Sequence, residues 1–149
     1  MKVLQVVADG APGGGTNHVL QILRGMPKSI ECGLVTQQGS YLFEQARKLG
    51  VHVVGGEFFR SRFDRAAMNR IQEAISEYSP NLVHCHGGRA AFFRSFLKSS
   101  IPTVYTVHGF HYARKKFLQR IIGWAGEFWS IRRVGKVLFV CLKIKVMFI

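Results

Sequence analysis

Acidic side chains are scarce in this sequence, which has eight Asp and Glu against 21 Lys and Arg and a formal net charge of +13 over 149 residues. Such an excess of positive charge predicts attraction to phosphates, nucleic acid or anionic lipid headgroups, although it carries no information about the fold. We therefore expect the partners of this chain to be anionic.

Cysteine is also scarce. Cys32, Cys85 and Cys141 are widely spaced and lie in apolar runs, which excludes a disulfide framework and a CxxC metal site. A reducing cytoplasm is the simplest compartment for such a chain.

Long apolar runs are missing as well. No run approaches the ~18–20 residues that a membrane-spanning helix needs. The N-terminal apolar run is interrupted by Gln5 and stopped by Asp9, so no signal peptide is predicted. The hydrophobic content of 48% is nevertheless ample for a core, and the length fits one globular domain.

Short apolar and β-branched runs alternate with amphipathic segments along the chain. The apolar runs predict buried strands over residues 2–8, 32–36, 51–54, 82–86, 103–107 and 136–141. Helices are predicted between Thr16 and Pro27, between Ser40 and Gly50, between Asp64 and Pro80, and over roughly 88–98 and 115–132. This alternation predicts the α/β class, with one Rossmann-like domain whose open parallel sheet of about six strands carries helices on both faces.

Ligands of open parallel sheets bind outside the carboxyl ends of the strands. This rule selects three loops of the sequence, residues 9–16 after the first strand, 86–90 after the fourth and 108–112 after the fifth. These loops are the predicted site.

The first of these loops is rich in glycine, with Gly10, Gly13, Gly14 and Gly15. Such a turn between strand and helix lets backbone N–H groups face a phosphate closely. The dinucleotide fingerprint fails because His18 occupies the third glycine position and the second strand ends without an acidic residue. A P-loop fails because no Gly-Lys-Ser/Thr follows. Phosphate binding and a tight turn that needs positive φ both remain open for this loop.

The other two loops carry histidines. His84 and His86 lie on the same side of the fourth strand and His108 ends the fifth. Together with His111 they form a conceivable metal site, but no carboxylate or cysteine joins them at ligand-like spacing. We therefore expect no metal.

Three motifs, "GGGTNHVLQIL", "PNLVHCHGGRA" and "IPTVYTVHGFHY", occur in this order at the three strand ends. Their combination resembles the N-terminal half of a GT-B fold glycosyltransferase of family 4, the retaining group that uses nucleotide-sugar donors. The resemblance covers residues 1–141, which would form the Rossmann-like N-terminal domain of a GT-B fold. Residues 142–149 depart from the family and form an atypical tail.

The resemblance also implies roles for residues. It makes His108 the best candidate for a catalytic residue, beside the reacting sugar, and gives a role in binding the donor phosphate or the acceptor to Gly13, Gly14, Gly15, Thr16, His18, His86, Arg89 and Gly109. The alternatives are structural: a backbone-bonded histidine at a strand end for His108, capping for His18, and purely structural roles for His86 and Arg89. No cofactor is implied, since the nucleotide sugar is a substrate.

The activity implied is transfer of a sugar from a nucleotide-sugar donor to a saccharide or lipid-linked acceptor, as in cell-surface polysaccharide assembly. In a GT-B enzyme most donor contacts come from a second domain, and this sequence ends after its sixth predicted strand. We therefore expect a truncated or frameshifted product with little activity alone. A split enzyme with a separately encoded C-terminal domain is the alternative, in which this chain is a non-catalytic acceptor-binding or membrane-docking subunit.

Residues 113–149 combine nine Lys and Arg with one acid, Glu127, and with aromatic residues that include Trp124, Phe128 and Trp129. A basic helix with aromatics is typical of peripheral binding to an anionic membrane, here the inner face of the cell membrane. The alternative, which we favour for the aromatics, is a long helix that buries them in the core and solvates its basic face. Nucleic-acid binding is not predicted because no helix-turn-helix, RNP or zinc module is present.

Overall fold

The computed structural model describes residues 1–58, 63–109 and 117–139, and these form an alternating α/β chain. The strands are β1 (Lys2–Val7), β2 (Glu31–Gln37), β3 (His52–Gly56), β4 (Leu82–His86), β5 (Thr103–Val107) and β6 (Lys136–Phe139). The helices are α1 (Gly14–Gly25), α2 (Tyr41–Lys48), α3 (Arg65–Tyr78), α4 (Gly88–Ser95) and α5 (Phe117–Arg133).

The six strands form one sheet in the order β3-β2-β1-β4-β5-β6, with every neighbouring pair parallel. The order runs outward in both directions from the β1–β4 pair, so this pair is the switch point of a doubly wound sheet. The predicted fold class is confirmed. His111, Cys141 and the predicted tail at 142–149 lie outside the described residues.

Two hydrophobic clusters cover opposite faces of the sheet, as predicted. On one face α1 and α2 pack Val19, Leu20, Leu42 and Ala46 against Val7 and Leu34. On the other face, side chains of α3 and α4 pack against inward residues of the sheet that include Leu4, Val6, Val35, Val83, Cys85 and Tyr105. Alternation along each buried strand supplies both faces with apolar side chains.

Side-chain caps start two of the helices, α2 and α3. Ser40 Oγ accepts a hydrogen bond from Phe43 N at 3.3 Å and starts α2. Asp64 Oδ1 accepts from Ala66 N and Ala67 N at 3.0 and 3.2 Å and starts α3, as the sequence predicts.

The start of α1 differs from the prediction. The helix begins at Gly14 with Gly13 as its N-cap and without a side-chain cap, so neither Thr16 nor Asn17 caps it. The fourth helix is also shorter than predicted and ends at Ser95. Among the described ranges we find no helix whose length and apolarity would let it cross a membrane.

Candidate functional site

The carboxyl ends of β1, β4 and β5 lie side by side. Val7 pairs with His86, and His86 pairs with Thr106, two residues before His108. Consequently the loops that follow these three strands leave the same edge of the sheet. The structure brings together the loops that the sequence selects.

The glycine loop, residues 9–16, packs closely against the start of α2 at Gly10. The Gly10 carbonyl accepts a hydrogen bond from Leu42 N at 2.9 Å. A Cβ added at Gly10 would lie 2.0 Å from Ser40 Oγ. Gly10 therefore lets the loop pass directly over the start of α2.

Gly13 and Gly14 are exposed, and an added Cβ at either would meet nothing within 4 Å. The φ of Gly13 is 168°, which is extended backbone, and none of the four loop glycines has a positive φ of the left-handed kind. The tight-turn interpretation is therefore wrong for this loop. Open space lies beside the N-terminus of α1, where unpaired backbone N–H groups favour an anion.

Thr16 shapes the loop from the inside. Its side chain is buried, and Oγ1 donates a hydrogen bond to the Ala11 carbonyl at 2.6 Å. Asp9 Oδ1 accepts from Ala11 N at 3.0 Å. The loop is thus held by its own polar side chains.

Four histidines cluster behind the glycine loop. The His86 ring is 4.1 Å from that of His84 and 5.4 Å from that of His108, measured between ring centroids. His18 reaches the cluster from the second turn of α1, with its ring 5.3 Å from that of His108. This position lies beyond the cap of α1, so the capping alternative for His18 is wrong.

His108 lies between β4 and the glycine loop. Its Nε2 is 3.2 Å from His86 Nδ1. On its other side, a Cβ added at Gly15 would stand 3.6 Å from His108 Cγ. The ring thus lies beside Gly15 of the predicted phosphate-binding loop, where a methyl group added to that glycine would contact it.

Burial makes two of the histidines hard to protonate. Desolvation, with smaller contributions from the charges of His18 and His108, lowers the pKa of His84 to about 4. Desolvation, followed by the neighbouring imidazoles, holds the pKa of His86 well below its ordinary value. Both rings are therefore neutral near pH 7, and each has one donor and one acceptor nitrogen.

Two polar residues that sequence reasoning missed complete the cluster. Gln5, fully buried in β1, places Oε1 at 2.8 Å from His86 Nε2. Thr106 Oγ1 is 2.7 Å from His84 Nε2. A polar residue in the middle of an otherwise apolar buried strand was the available signal for Gln5, because such a side chain needs a buried partner.

Glycines directly follow two of the site histidines. Gly87 has φ 80° and caps α4, and Gly109 has φ 153°. Both values lie in the region that favours glycine. They let the chain turn away immediately after His86 and His108.

Arg89, in the first turn of α4, donates from Nη1 to the Phe58 carbonyl at 2.7 Å. This bond ties the segment after β3 to the site. The arginine is itself exposed at the same edge, so its structural role and a role toward an anion are compatible.

The histidine cluster does not have the arrangement of a metal centre. Within residues 1–58, 63–109 and 117–139, no group of three or more His, Cys, Asp or Glu could hold a metal ion. Both nitrogens of His86 face polar partners, Gln5 and His108.

The aromatic residues of α5 contradict the core interpretation. Trp124, Phe128 and Trp129 are 57%, 43% and 41% exposed. The opposite side of α5 faces inward with Gly126 against Phe92, Glu127 hydrogen-bonded to the Tyr105 hydroxyl, and a buried Ser130. Among the described side chains, this inward side combines small and polar residues with Ile131, which packs against the core, and the two tryptophans and Phe128 are left exposed.

Arginines stack on these exposed rings. The Arg132 guanidinium carbon is 4.3 Å from the centroid of Phe128, and that of Arg133 is 3.9 Å from Trp129. Trp129 also stacks on Phe96. We call Ile121, Ile122, Trp124, Phe128, Trp129 and Phe96 the α5 patch, since each is more than a third exposed.

Several solved structures share this fold at low sequence identity. The chain matches HepE from Anabaena, solved in complex with UDP, with a TM-score of 0.71 and 15% identity over 92% of this chain and 37% of that one. It matches MurG from Acinetobacter baumannii with a TM-score of 0.64 and 11% identity, covering 93% and 40%. UDP-GlcNAc 2-epimerase from Neisseria meningitidis, bound to UDP-GlcNAc, matches with a TM-score of 0.60 and 11% identity, covering 90% and 39%.

The fold is thus that of about half of a GT-B structure. Among curated proteins, a glycogen synthase from Desulforamulus reducens is 28% identical over 81 residues, which are 46% of this chain and 16% of that protein. The family model Glycosyltransferase Family 4 matches residues 12–148. The chain belongs to glycosyltransferase family 4, and it spans well under half the length of the relatives it matches.

The glycine loop offers a paired test of this geometry. Gly10→Ala would force Ser40 away from the α2 cap, so we expect the free energy of unfolding to fall by about 1–3 kcal/mol. Gly14→Ala meets open space in the first turn of α1 and should leave stability unchanged or slightly higher. Urea unfolding measures both. Equal effects of the two substitutions would contradict the described packing.

Proposed function

We propose that this chain forms the acceptor-side half of an enzyme that transfers a sugar, with retention, from a nucleotide-sugar donor to a saccharide or lipid-linked acceptor. The observation that carries the proposal is the position of His108 beside Gly15 at the carboxyl edge, in a chain of glycosyltransferase family 4. Because an epimerase shares the fold, the proposal of sugar transfer rests on family membership and not on the fold alone.

The donor diphosphate would approach the N-terminus of α1. Gly13 and Gly14 leave open space there, and the helix dipole and backbone N–H groups favour negative charge. HepE was solved with UDP, and the epimerase was solved with UDP-GlcNAc. Their ligands support a uridine nucleotide as the first donor class to try.

His108 would act on the sugar. Its imidazole could hydrogen-bond a donor hydroxyl or stabilise the charge that develops as the bond between sugar and phosphate lengthens. His18, His86, Arg89 and Gly109 surround it at the same edge and would shape the donor and acceptor side. No metal is required by this scheme.

His108→Ala tests the catalytic role. In an enzyme assembled from this chain and a GT-B donor-binding half, we expect kcat to fall about 100-fold or more, because an interaction made in the transition state is lost. His52→Ala is the matched control, since His52 is an exposed histidine at the opposite end of the edge strand β3. Release of nucleotide from a panel of UDP-sugars measures the rate.

A rate of His108→Ala within threefold of the parent enzyme would remove His108 from the chemistry. It would instead favour the alternative function, a non-catalytic acceptor-binding or docking subunit.

One observation supports that second candidate, which is docking to an anionic membrane. The α5 patch exposes two tryptophans beside Arg132 and Arg133, and the chain has a net charge of +13. Aromatic rings beside cations suit the interface between headgroups and acyl chains. We propose that this face brings the site to a lipid-linked acceptor and holds the protein peripherally at the inner face of the membrane.

Trp124→Ala tests membrane docking. We expect about a tenfold weaker partition into vesicles containing phosphatidylglycerol, since the ring is lost from the bilayer interface. Tyr41→Ala is the control, because Tyr41 on α2 is an exposed aromatic far from α5 in sequence and 42% exposed. Sedimentation at low salt measures binding. Failure of the unsubstituted chain to sediment with these vesicles would end the docking proposal.

A further inference from the structure

Gln5 is a buried polar side chain in a strand whose neighbours are apolar. It lies in the middle of β1, between Leu4 and Val6, and is fully buried. Burying an amide costs free energy unless its polar atoms find partners. Its Oε1 finds one at 2.8 Å, the Nε2 of His86.

This contact determines which nitrogen of His86 carries the proton. An amide oxygen only accepts, so His86 Nε2 must donate to Gln5 Oε1. Because the buried ring is neutral, His86 Nδ1 is then an acceptor. The atom that faces it, His108 Nε2 at 3.2 Å, must therefore donate.

The orientation of the Gln5 amide decides the direction of this chain of hydrogen bonds. With Oε1 toward His86, Nε2 has no partner within hydrogen-bond distance among the described residues. Burial raises the pKa of the Cys32 thiol, and the smaller, opposite effect of the Gln5 side chain is that of an N–H donor near the sulfur, so Nε2 lies on the Cys32 side. The reverse orientation would make His86 Nε2 an acceptor and would invert both imidazole tautomers.

We infer that Gln5 and His86 are positioning residues that direct an Nε2–H of His108 toward His86, so that the neutral form of His108 has Nδ1 as its accepting nitrogen. The bearing of this tautomer on a donor sugar rests on the proposed function, whereas the tautomers themselves do not.

Imidazole tautomers are read directly from long-range ¹H–¹⁵N correlation spectra of the uniformly labelled chain at pH 7.5. We expect His86 and His108 each to show the Nε2–H pattern. His52, exposed and stacked on Tyr78 with ring centroids 5.5 Å apart, is the reference histidine outside the cluster. An Nδ1–H pattern at His86 or His108 overturns the inference.

Substitution of Gln5 then tests the cause. Gln5→Met keeps the size and removes the acceptor, and we expect the tautomer ratio of His86 to change about fivefold, equivalent to one neutral hydrogen bond. Gln5→Glu restores an acceptor and should restore the Nε2–H pattern. An unchanged His86 ratio in folded Gln5→Met overturns the inference.

If Gln5→Met does not fold, the spectra of the unsubstituted chain and of Gln5→Glu decide alone, since a His86 ring with its proton on Nδ1 and none on Nε2 in either overturns the inference. The spectra need no enzyme activity. Loss of the proposed function with the tautomers as expected would therefore reject the sugar role of His108 and leave the positioning role of Gln5 in place.

Discussion

The parallel pairing of β1 with β4 at the centre of the sheet determines where the site loops and the two layers of helices lie. It sets Gln5 beside His84 and Val7 beside His86, and it reverses the direction in which the sheet grows. A right-handed crossover then sends the helices of the two halves to opposite faces. The loops after β1 and β4 separate at the same point of the carboxyl edge, which is where ligands of open α/β sheets bind.

Burial at this edge determines the chemistry of the histidines. His86 is almost fully buried and His84 is partly buried, which favours neutral rings and makes their hydrogen bonds directional. His86 and His108 lie next to each other, with the Gln5 amide beside His86 and Gly15 beside His108. Charged imidazoles would attract any phosphate, whereas the neutral, oriented rings of His84 and His86 are suited to hold their neighbours in one hydrogen-bonding arrangement.

The strands were predictable because buried parallel strands are short apolar runs, and the three site loops followed from where those runs end. The start of α1 was not predictable, because Thr16 and Asn17 are both good capping residues and the helix nevertheless begins before them, at Gly14. The orientation of α5 was not predictable either. Apolar and polar residues are mixed around the circumference of α5, so the sequence does not say which side is buried. The hydrogen bond between Glu127 and Tyr105 shows that the side with Glu127 faces inward. Gln5 looked like an interruption of an apolar strand because its partner, His86, is 81 positions away.

Our central proposal is that the carboxyl edge, with its glycine loop and its histidines, receives a nucleotide sugar. The most direct measurement is an amide chemical-shift map of the ¹⁵N-labelled chain titrated with UDP-GlcNAc and with UDP-glucose. We predict that the largest shifts fall on residues 10–18, 86–89 and 108–109. Shifts concentrated at the amino edge, around Arg94 and Ser99, or on the α5 patch would contradict the claim, as would the absence of shifts at saturating ligand.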